Sequence, residues 1–496
     1  MRAIRRAGML RFCVCFGVAI GCFVGLSVKA PGQVAAGQEK PGTQAVEALF
    51  VSDIHFEPFW DPGKAAQLAA APVTEWKAIL ESPDSPDRER RFAALQRNCL
   101  DRGVDTSYTL YESSLRAMRA DAAGAKFVVV SGDLISHDFS CKFATVLPQS
   151  GSGDYRAFVE KTIGYVEARL HAALPRVPVY AALGNNDSDC GDYQLDAHSE
   201  FLEATGRDLT ADVPVAERTE AQRTFAAAGY YSVTLPAPMQ HTKLLVLNDL
   251  FMAKRYTTCG GKTDAAPAAE QIAWMKGQLD AARGKKEKVW VMSHIPPGVD
   301  PYSTAMNGKD VCMGSGPTMF LSSEALPEAM AGYGDVLRLA VFAHTHMDEV
   351  RLLEPEGEGM AERGIALKLV GSISPIDGNA PSFTVASIDA QSAVMKDYRV
   401  IVASNATGVD TKWTEEYDFA KTYKQVSFTA TTVRNVIAEF GADPSAQEKA
   451  SQSYIRNYGS GMWARELSQS WKPYVCSLAN DGPADAFRAC VCGAEQ

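Results

Sequence analysis

The chain has 496 residues, 46% of them hydrophobic and 22% charged, with a formal net charge of −10. That composition belongs to a globular protein with a sizeable core, and the length suits one large domain with an appendage, or two domains. The acidic balance leaves nothing to favour nucleic acid or an anionic membrane surface as a partner.

The chain opens with Arg2, Arg5, Arg6 and Arg11, then an apolar run over 12–28, then the small, polar stretch "VKAPGQVAAGQEKPGTQ". A charged start, an apolar centre and small residues after it read as a secretory signal peptide over 1–30, followed by a linker over 31–45. An uncleaved anchor is the alternative, disfavoured by Gly17, Gly21, Gly25 and three cysteines in the run. Lipidation at Cys22 is a lesser one. The expected location is therefore secreted or periplasmic, with no stable membrane span in the mature chain. Removing thirty residues that carry five basic and no acidic groups takes the net charge from −10 to −15. Of eleven cysteines, eight remain, an even number that allows four disulfides in an oxidising compartment. Cys476, Cys490 and Cys492 suggest a stapled C-terminal end, and Cys259 with Cys312 would pin two long loops.

From residue 46 onward the chain shows short, nearly continuous apolar runs, the pattern of strands buried on both faces. In order they are "VEALFVSD" (46–53), "KFVVVSGD" (126–133), "VPVYAALGNND" (177–187), "KLLVLND" (243–249), "KVWVMSH" (288–294), "RLAVFAHTH" (338–346) and "LKLVGS" (367–372). Helical patterns over 114–124 and 269–284 fall between them, so an α/β architecture with a mixed or parallel sheet is expected. Most of the runs end directly in Asp, Asn or His. Ligands in open α/β sheets bind beyond the carboxyl ends of the strands, so these polar residues should meet in one crevice. Four of the eight histidines, His55, His294, His344 and His346, sit at such ends, and His137 follows Asp133 by four residues. His171, His198 and His241 fit no such pattern and read as ordinary.

The ordered set Asp53-x-His55, Gly132-Asp133, Gly184-Asn185-Asn186-Asp187, His294 and His344-x-His346 resembles the calcineurin-like metallophosphoesterases. That resemblance implies a sandwich of two mixed sheets flanked by helices, here over 46–390, with a smaller, mainly helical C-terminal region over 391–496. It also implies two divalent metal ions, zinc first, with manganese or iron as alternatives. Asp53, His55 and His346 would hold one ion, Asn185, His294 and His344 the second, and Asp133 would bridge. Oxygen and imidazole donors suit such ions, and residues i and i+2 of an extended segment project to one side. Two metals would clamp a phosphate and generate a hydroxide for in-line attack on phosphorus. One departure is Ala343, where the family often has glycine.

Further stretches resemble one branch, the acid sphingomyelinase-like phosphodiesterases: "SDIHFEPFWDP" (52–62), "GDLISHD" (132–138), "SHIPPG" (293–298), "AHTHMDE" (343–349) and "SISPIDGNAPSFTV" (372–385). After these, "KDYRVIVAS" and "WTEEYDFAKTY" look like the onset of that branch's helical region. In the branch two histidines protonate the leaving oxygen; here one place holds Asn186 and the other His137. Asparagine can hydrogen-bond a phosphate oxygen but supplies no proton near neutral pH. The role then falls on His137, with Asp187 orienting its neighbours. The string "GNND" is shared with endopolyphosphatases, whose leaving group needs less acid. Three functions stay open: an exported phosphodiesterase acting, as a monomer, on a small phosphate ester or lipid head group; a phosphoanhydride hydrolase; and a metal-holding protein without turnover.

Overall fold

The computed structural model describes residues 44–355, 363–479 and 484–493. The signal segment, most of the linker and Cys13, Cys15 and Cys22 lie outside these residues. Twelve strands occur in the described residues: β1 (Ala45–Val51), β2 (Ala125–Val130), β3 (Val179–Ala181), β4 (Tyr231–Thr234), β5 (Thr242–Val246), β6 (Lys288–Met292), β7 (Leu337–Phe342), β8 (Glu349–Leu353), β9 (Ile365–Leu369), β10 (Ser382–Asp389), β11 (Met395–Ala403) and β12 (Trp413–Asp418). They form two six-stranded sheets, ordered β12-β11-β10-β1-β2-β3 and β4-β5-β6-β7-β9-β8.

Both sheets mix parallel and antiparallel pairing, the first with its antiparallel strands on one side and the second with one at each edge. In the first, β1, β2 and β3 run parallel while β10, β11 and β12 are antiparallel. In the second, β5, β6, β7 and β9 run parallel and β4 and β8 close the edges antiparallel. Runs such as Val128-Val129-Val130 are fully buried because helices or the opposite sheet cover both faces. The sheets meet face to face at Trp290 of β6, whose ring lies 6.0 Å from Phe50 of β1 and 6.0 Å from Phe127 of β2. Its indole N–H donates to Ala393 O at 2.9 Å, which satisfies the polar atom inside the core.

All seven strand runs read from the sequence are strands. Of the two stretches read as the onset of the helical region, the first is β11 and the first six residues of the second are β12, both paired into the first sheet, while its last five residues, Phe419–Tyr423, are the first helix of that region. Tyr398, Val400 and Ile401 bury their side chains there, and a paired position in a sheet overrides local preference. Helices follow from Phe419–Tyr423 through Ala430–Gly441, Lys449–Tyr458, Arg465–Gln469, Trp471–Ser477 and Ala484–Cys492.

Four disulfides brace the loops: Cys99–Cys141, Cys190–Cys259, Cys312–Cys492 and Cys476–Cys490. Cys259 and Cys312 each pin a long loop, but not to one another, because each has a nearer partner from a different part of the fold. No helix among the described residues is long and apolar enough to cross a membrane.

Candidate metal centre

The loops after β1, β2, β3, β6 and β7 turn sharply over one crevice. Five non-glycine residues there adopt left-handed backbone: Asp53 (φ 45°), His55 (φ 43°), Asp133 (φ 55°), His344 (φ 71°) and His346 (φ 63°). Such conformations cost about 1 kcal/mol or more each and persist where surrounding structure enforces them. Here Asp53 N donates to Gly132 O at 3.1 Å, His55 N to Asp133 O at 2.9 Å and Ala343 N to His294 O at 2.8 Å. Ala343 is fully buried and its methyl is accommodated. Gly184 is required: a Cβ there would lie 2.1 Å from Asp133 Oδ1.

The crevice gathers all seven residues read as ligands. His55 Nε2 stands 3.8 Å from Asp53 Oδ1 and 3.4 Å from Asp133 Oδ2. His346 Nε2 stands 3.6 Å from Asp53 Oδ1. On the other side His294 Nε2 stands 3.2 Å from Asp133 Oδ2 and 3.1 Å from Asn185 Oδ1. Donor atoms of Asp53, His55 and Asp133 lie within 4.8 Å of one another, as do those of Asp133, His294 and His344. Asp133 is thus common to both sets.

In three of the four imidazoles the outward nitrogen is hydrogen-bonded, which orients the other one inward; in His346 it only faces a carboxylate. His55 Nδ1 pairs with Ile135 O at 2.9 Å and His294 Nδ1 with Ser131 O at 2.7 Å. His346 Nδ1 faces Asp377 Oδ2 at 3.3 Å. His344 is reversed: its Nε2 pairs with the Tyr193 hydroxyl at 3.0 Å, so Nδ1 is left for the crevice.

These residues fit two divalent cations. Asp53 Oδ1 is buried without a hydrogen-bond partner. His55 Nε2 and His346 Nε2 approach to 3.1 Å, an arrangement that a shared cation between lone pairs stabilises. Burial, with Asp133 adding to it, pushes the Asp53 carboxyl up to about 7 against the opposing effect of His294, so the chain compensates its charge only in part. Burial and the neighbouring His137 lower His55 to about 4, and burial with His294 lowers His344 to about 3; both are neutral, as ligands must be. Burial opposes a charge on His294 as well, but the Asp133 carboxylate outweighs it and carries His294 up to about 10.

Asp187 accepts from three backbone N–H groups, those of Leu134 (2.8 Å), Ile135 (3.1 Å) and Gly184 (2.9 Å), and so ties the Asp133 turn to the Asn185 turn. Asn186 donates to both oxygens of Asp133, from its backbone to Oδ1 and from its amide to Oδ2, each at 2.9 Å. His137 lies over His55 with ring centroids 4.0 Å apart. Its Nδ1 stands 3.1 Å from Asp105 Oδ1, and that carboxylate, against the effect of burial, raises His137 to about 9. A nitrogen of His137 also falls within 4.8 Å of His55 and His346 donors. A cavity of about 860 Å³ opens over Asp133, His137, His344 and His346 and runs to Tyr458 and Trp463.

Asp105, Asp192, Tyr193 and Asp377 were not singled out in the sequence. They come from loops far apart in the chain and end no apolar run; the doublet Asp192-Tyr193, six residues after Asn186, was the nearest signal.

The sequence profile of the calcineurin-like phosphoesterases matches residues 47–348, more than half of the chain. The chain belongs to the calcineurin-like phosphoesterase family. This is a family of metal-dependent hydrolases, and the strand-end crevice is where its profile and the donor sets coincide. Within it the chain is similar to acid sphingomyelinase-like phosphodiesterases. It is 25% identical over 405 residues to the Dictyostelium discoideum sphingomyelinase phosphodiesterase D, covering 78% of this chain and 80% of that protein. The human acid sphingomyelinase-like phosphodiesterase 3b is 22% identical over 400 residues, with 78% and 80% covered. The mouse cyclic GMP-AMP phosphodiesterase SMPDL3A is 22% identical over 388 residues, with 76% and 79% covered.

Proposed function

We propose that the chain is an exported phosphodiesterase working with two divalent metal ions, zinc in the first instance. The observation that carries this reading is the pair of donor sets sharing Asp133, with Asp53 Oδ1 buried and unpartnered. Asp53, His55 and His346 would hold one ion and Asn185, His294 and His344 the other. When bound, such ions neutralise a phosphate and lower the pKa of water between them. The remaining work is done by the chain. Asp187 keeps the two ligand turns in register. Asn186, engaged with Asp133, fixes the bridging carboxylate. His137 lines the cavity with Nδ1 anchored on Asp105 and Nε2 3.3 Å from Arg102 Nη2, and it is the general-acid candidate for the leaving oxygen once Nε2 exchanges that neighbour for substrate.

The relatives named above act, by their names, on a lipid phosphodiester and on a cyclic dinucleotide. Their common element is the phosphodiester, and that is the class proposed here. Four disulfides support an oxidising compartment. A second reading, phosphoanhydride hydrolysis, is favoured by Arg102, Lys254 and Arg255 lining the cavity and by an asparagine at position 186. The test is to purify the disulfide-intact mature chain with zinc and assay sphingomyelin, a cyclic dinucleotide, bis-p-nitrophenyl phosphate and polyphosphate. Turnover of the diesters is expected. Turnover of polyphosphate alone would move the assignment to the second reading, and two bound metals with no turnover would overturn both.

A further inference from the structure

Asn185 differs from the other six donors: it is an uncharged amide, and only one of its two ends can face a cation. The end is selected by Asp192, whose Oδ1 accepts from Asn185 Nδ2 at 2.7 Å. A carboxylate accepts and never donates while ionised, so the amide oxygen is turned toward His294. Asp192 is steadied by Arg255, with Nη2 3.4 Å from its Oδ2. The same guanidinium lies 4.2 Å over the ring of Tyr193. The Tyr193 hydroxyl in turn holds His344 Nε2 and leaves Nδ1 as that histidine's free nitrogen. One bracket of three side chains therefore sets both Asn185 and His344.

The bracket is stitched to the body of the fold. Tyr193 N donates to Asn185 O at 3.0 Å, Thr257 N to Tyr193 O at 3.0 Å and Leu195 N to Thr257 O at 3.2 Å. Cys190–Cys259 joins the same two segments covalently. In the first set, His346 Nδ1 faces Asp377 Oδ2 at 3.3 Å and Arg102 Nη2 stands 3.3 Å from the same oxygen, but no disulfide among the described residues joins the segments of His346 and Asp377.

Resting on the two-metal reading above, we propose that Asp192 and Tyr193 are positioning residues for the second metal, indexed by the Cys190–Cys259 disulfide. This half of the centre is the one whose hold depends on an oxidised loop.

The test is zinc binding to the full mature chain, measured by competition with a chromogenic chelator and by metal analysis after dialysis. Tyr193→Phe and Asp192→Ala each weaken one of two zinc sites by about 10–100-fold and leave the other unchanged. Asp192→Asn keeps a carbonyl acceptor for Asn185 and restores most of that loss. Cys190→Ser with Cys259→Ser weakens the same site. Melting of the metal-free proteins serves as the control for folding. Equal weakening of both sites, or of neither, overturns the proposal, as does an Asp192→Asn variant as impaired as Asp192→Ala. A wild-type chain that binds fewer than two zinc ions fails at the earlier reading, which separates the two outcomes.

Discussion

Two buried charge clusters lie on either side of His137, and they differ in one respect. Around Lys142 the cation is part of the chain: its Nζ is 2.5 Å from Glu57 Oε2, 2.8 Å from Asp101 Oδ2 and 3.9 Å from Asp105 Oδ2. Around Asp133 the carboxylates and imidazoles converge with no lysine or arginine among the donor sets, and Asp53 Oδ1 has no hydrogen-bond partner. The first cluster carries its own cation, although both oxygens of Asp101 lack a hydrogen bond; the second is arranged for ions that the chain does not supply. Burial makes both costly, so each is informative when broken.

The largest effect is expected at the shared ligand. Asp133→Asn removes a charge from both donor sets, and metal content should fall together with a loss of diesterase turnover of about 10³-fold or more, since metal stabilisation of phosphate charge is worth several kcal/mol. A variant that keeps two metals and half its activity would show that Asp133 does not bridge. The counterpart is Lys142→Met, which strands Glu57, Asp101 and Asp105 without their cation. Loss of one partner from a buried ionic group costs about 3–5 kcal/mol. Denaturant unfolding should show that loss while zinc stoichiometry stays at the wild-type value. If zinc falls in step with stability, the two clusters are one.

His137 joins the two regions, resting on His55 and anchored to Asp105, which also neighbours Lys142. Its replacement by alanine should lower turnover about 10²–10³-fold on a diester with a poor leaving group. On bis-p-nitrophenyl phosphate, whose leaving group needs little protonation, the loss should be much smaller. Equal losses on both substrates would assign His137 to the metal sets that its nitrogen also reaches.

The legible part of this protein is its parallel core. Strands β1, β2, β3, β5, β6, β7 and β9 are buried on both faces, so their apolar runs are continuous and the polar residue that ends each one stands out. All seven ligand candidates lie at such ends, and the structure brings them together. The marginal strands were harder. Lys396, Asp397 and Arg399 of β11 and Glu415 and Glu416 of β12 interrupt the apolar pattern with solvent-facing charge, and a short strand of this kind resembles an amphipathic helix. Asp105 and Tyr193 were illegible for another reason. Each matters through one side-chain contact, to His137 and to His344, and contacts of that separation leave no period or spacing in the sequence.

The smallest expected effect tests the ordinary status of His171, whose charged neighbours belong to neither cluster. Its Nε2 lies 3.5 Å from Glu167 Oε2 and its Nδ1 3.7 Å from Asp212 Oδ2, on a side chain that is 39% exposed. The Glu167 carboxylate raises its pKa above the usual histidine value. A raised histidine favours the folded state below its unfolded pKa of about 6.5, and that advantage disappears as pH rises through the folded value. Solvent screening at this exposure limits the gain to under about 1 kcal/mol. His171→Gln should therefore melt slightly below wild type at pH 5.5 and together with it at pH 8.5, with zinc content and turnover unchanged. A difference that persists at pH 8.5 would mean that packing, not charge, is what His171 contributes. A change in turnover would show that the crevice is coupled to the surface through the helix Ser152–Ala173, which the buried charge clusters do not require.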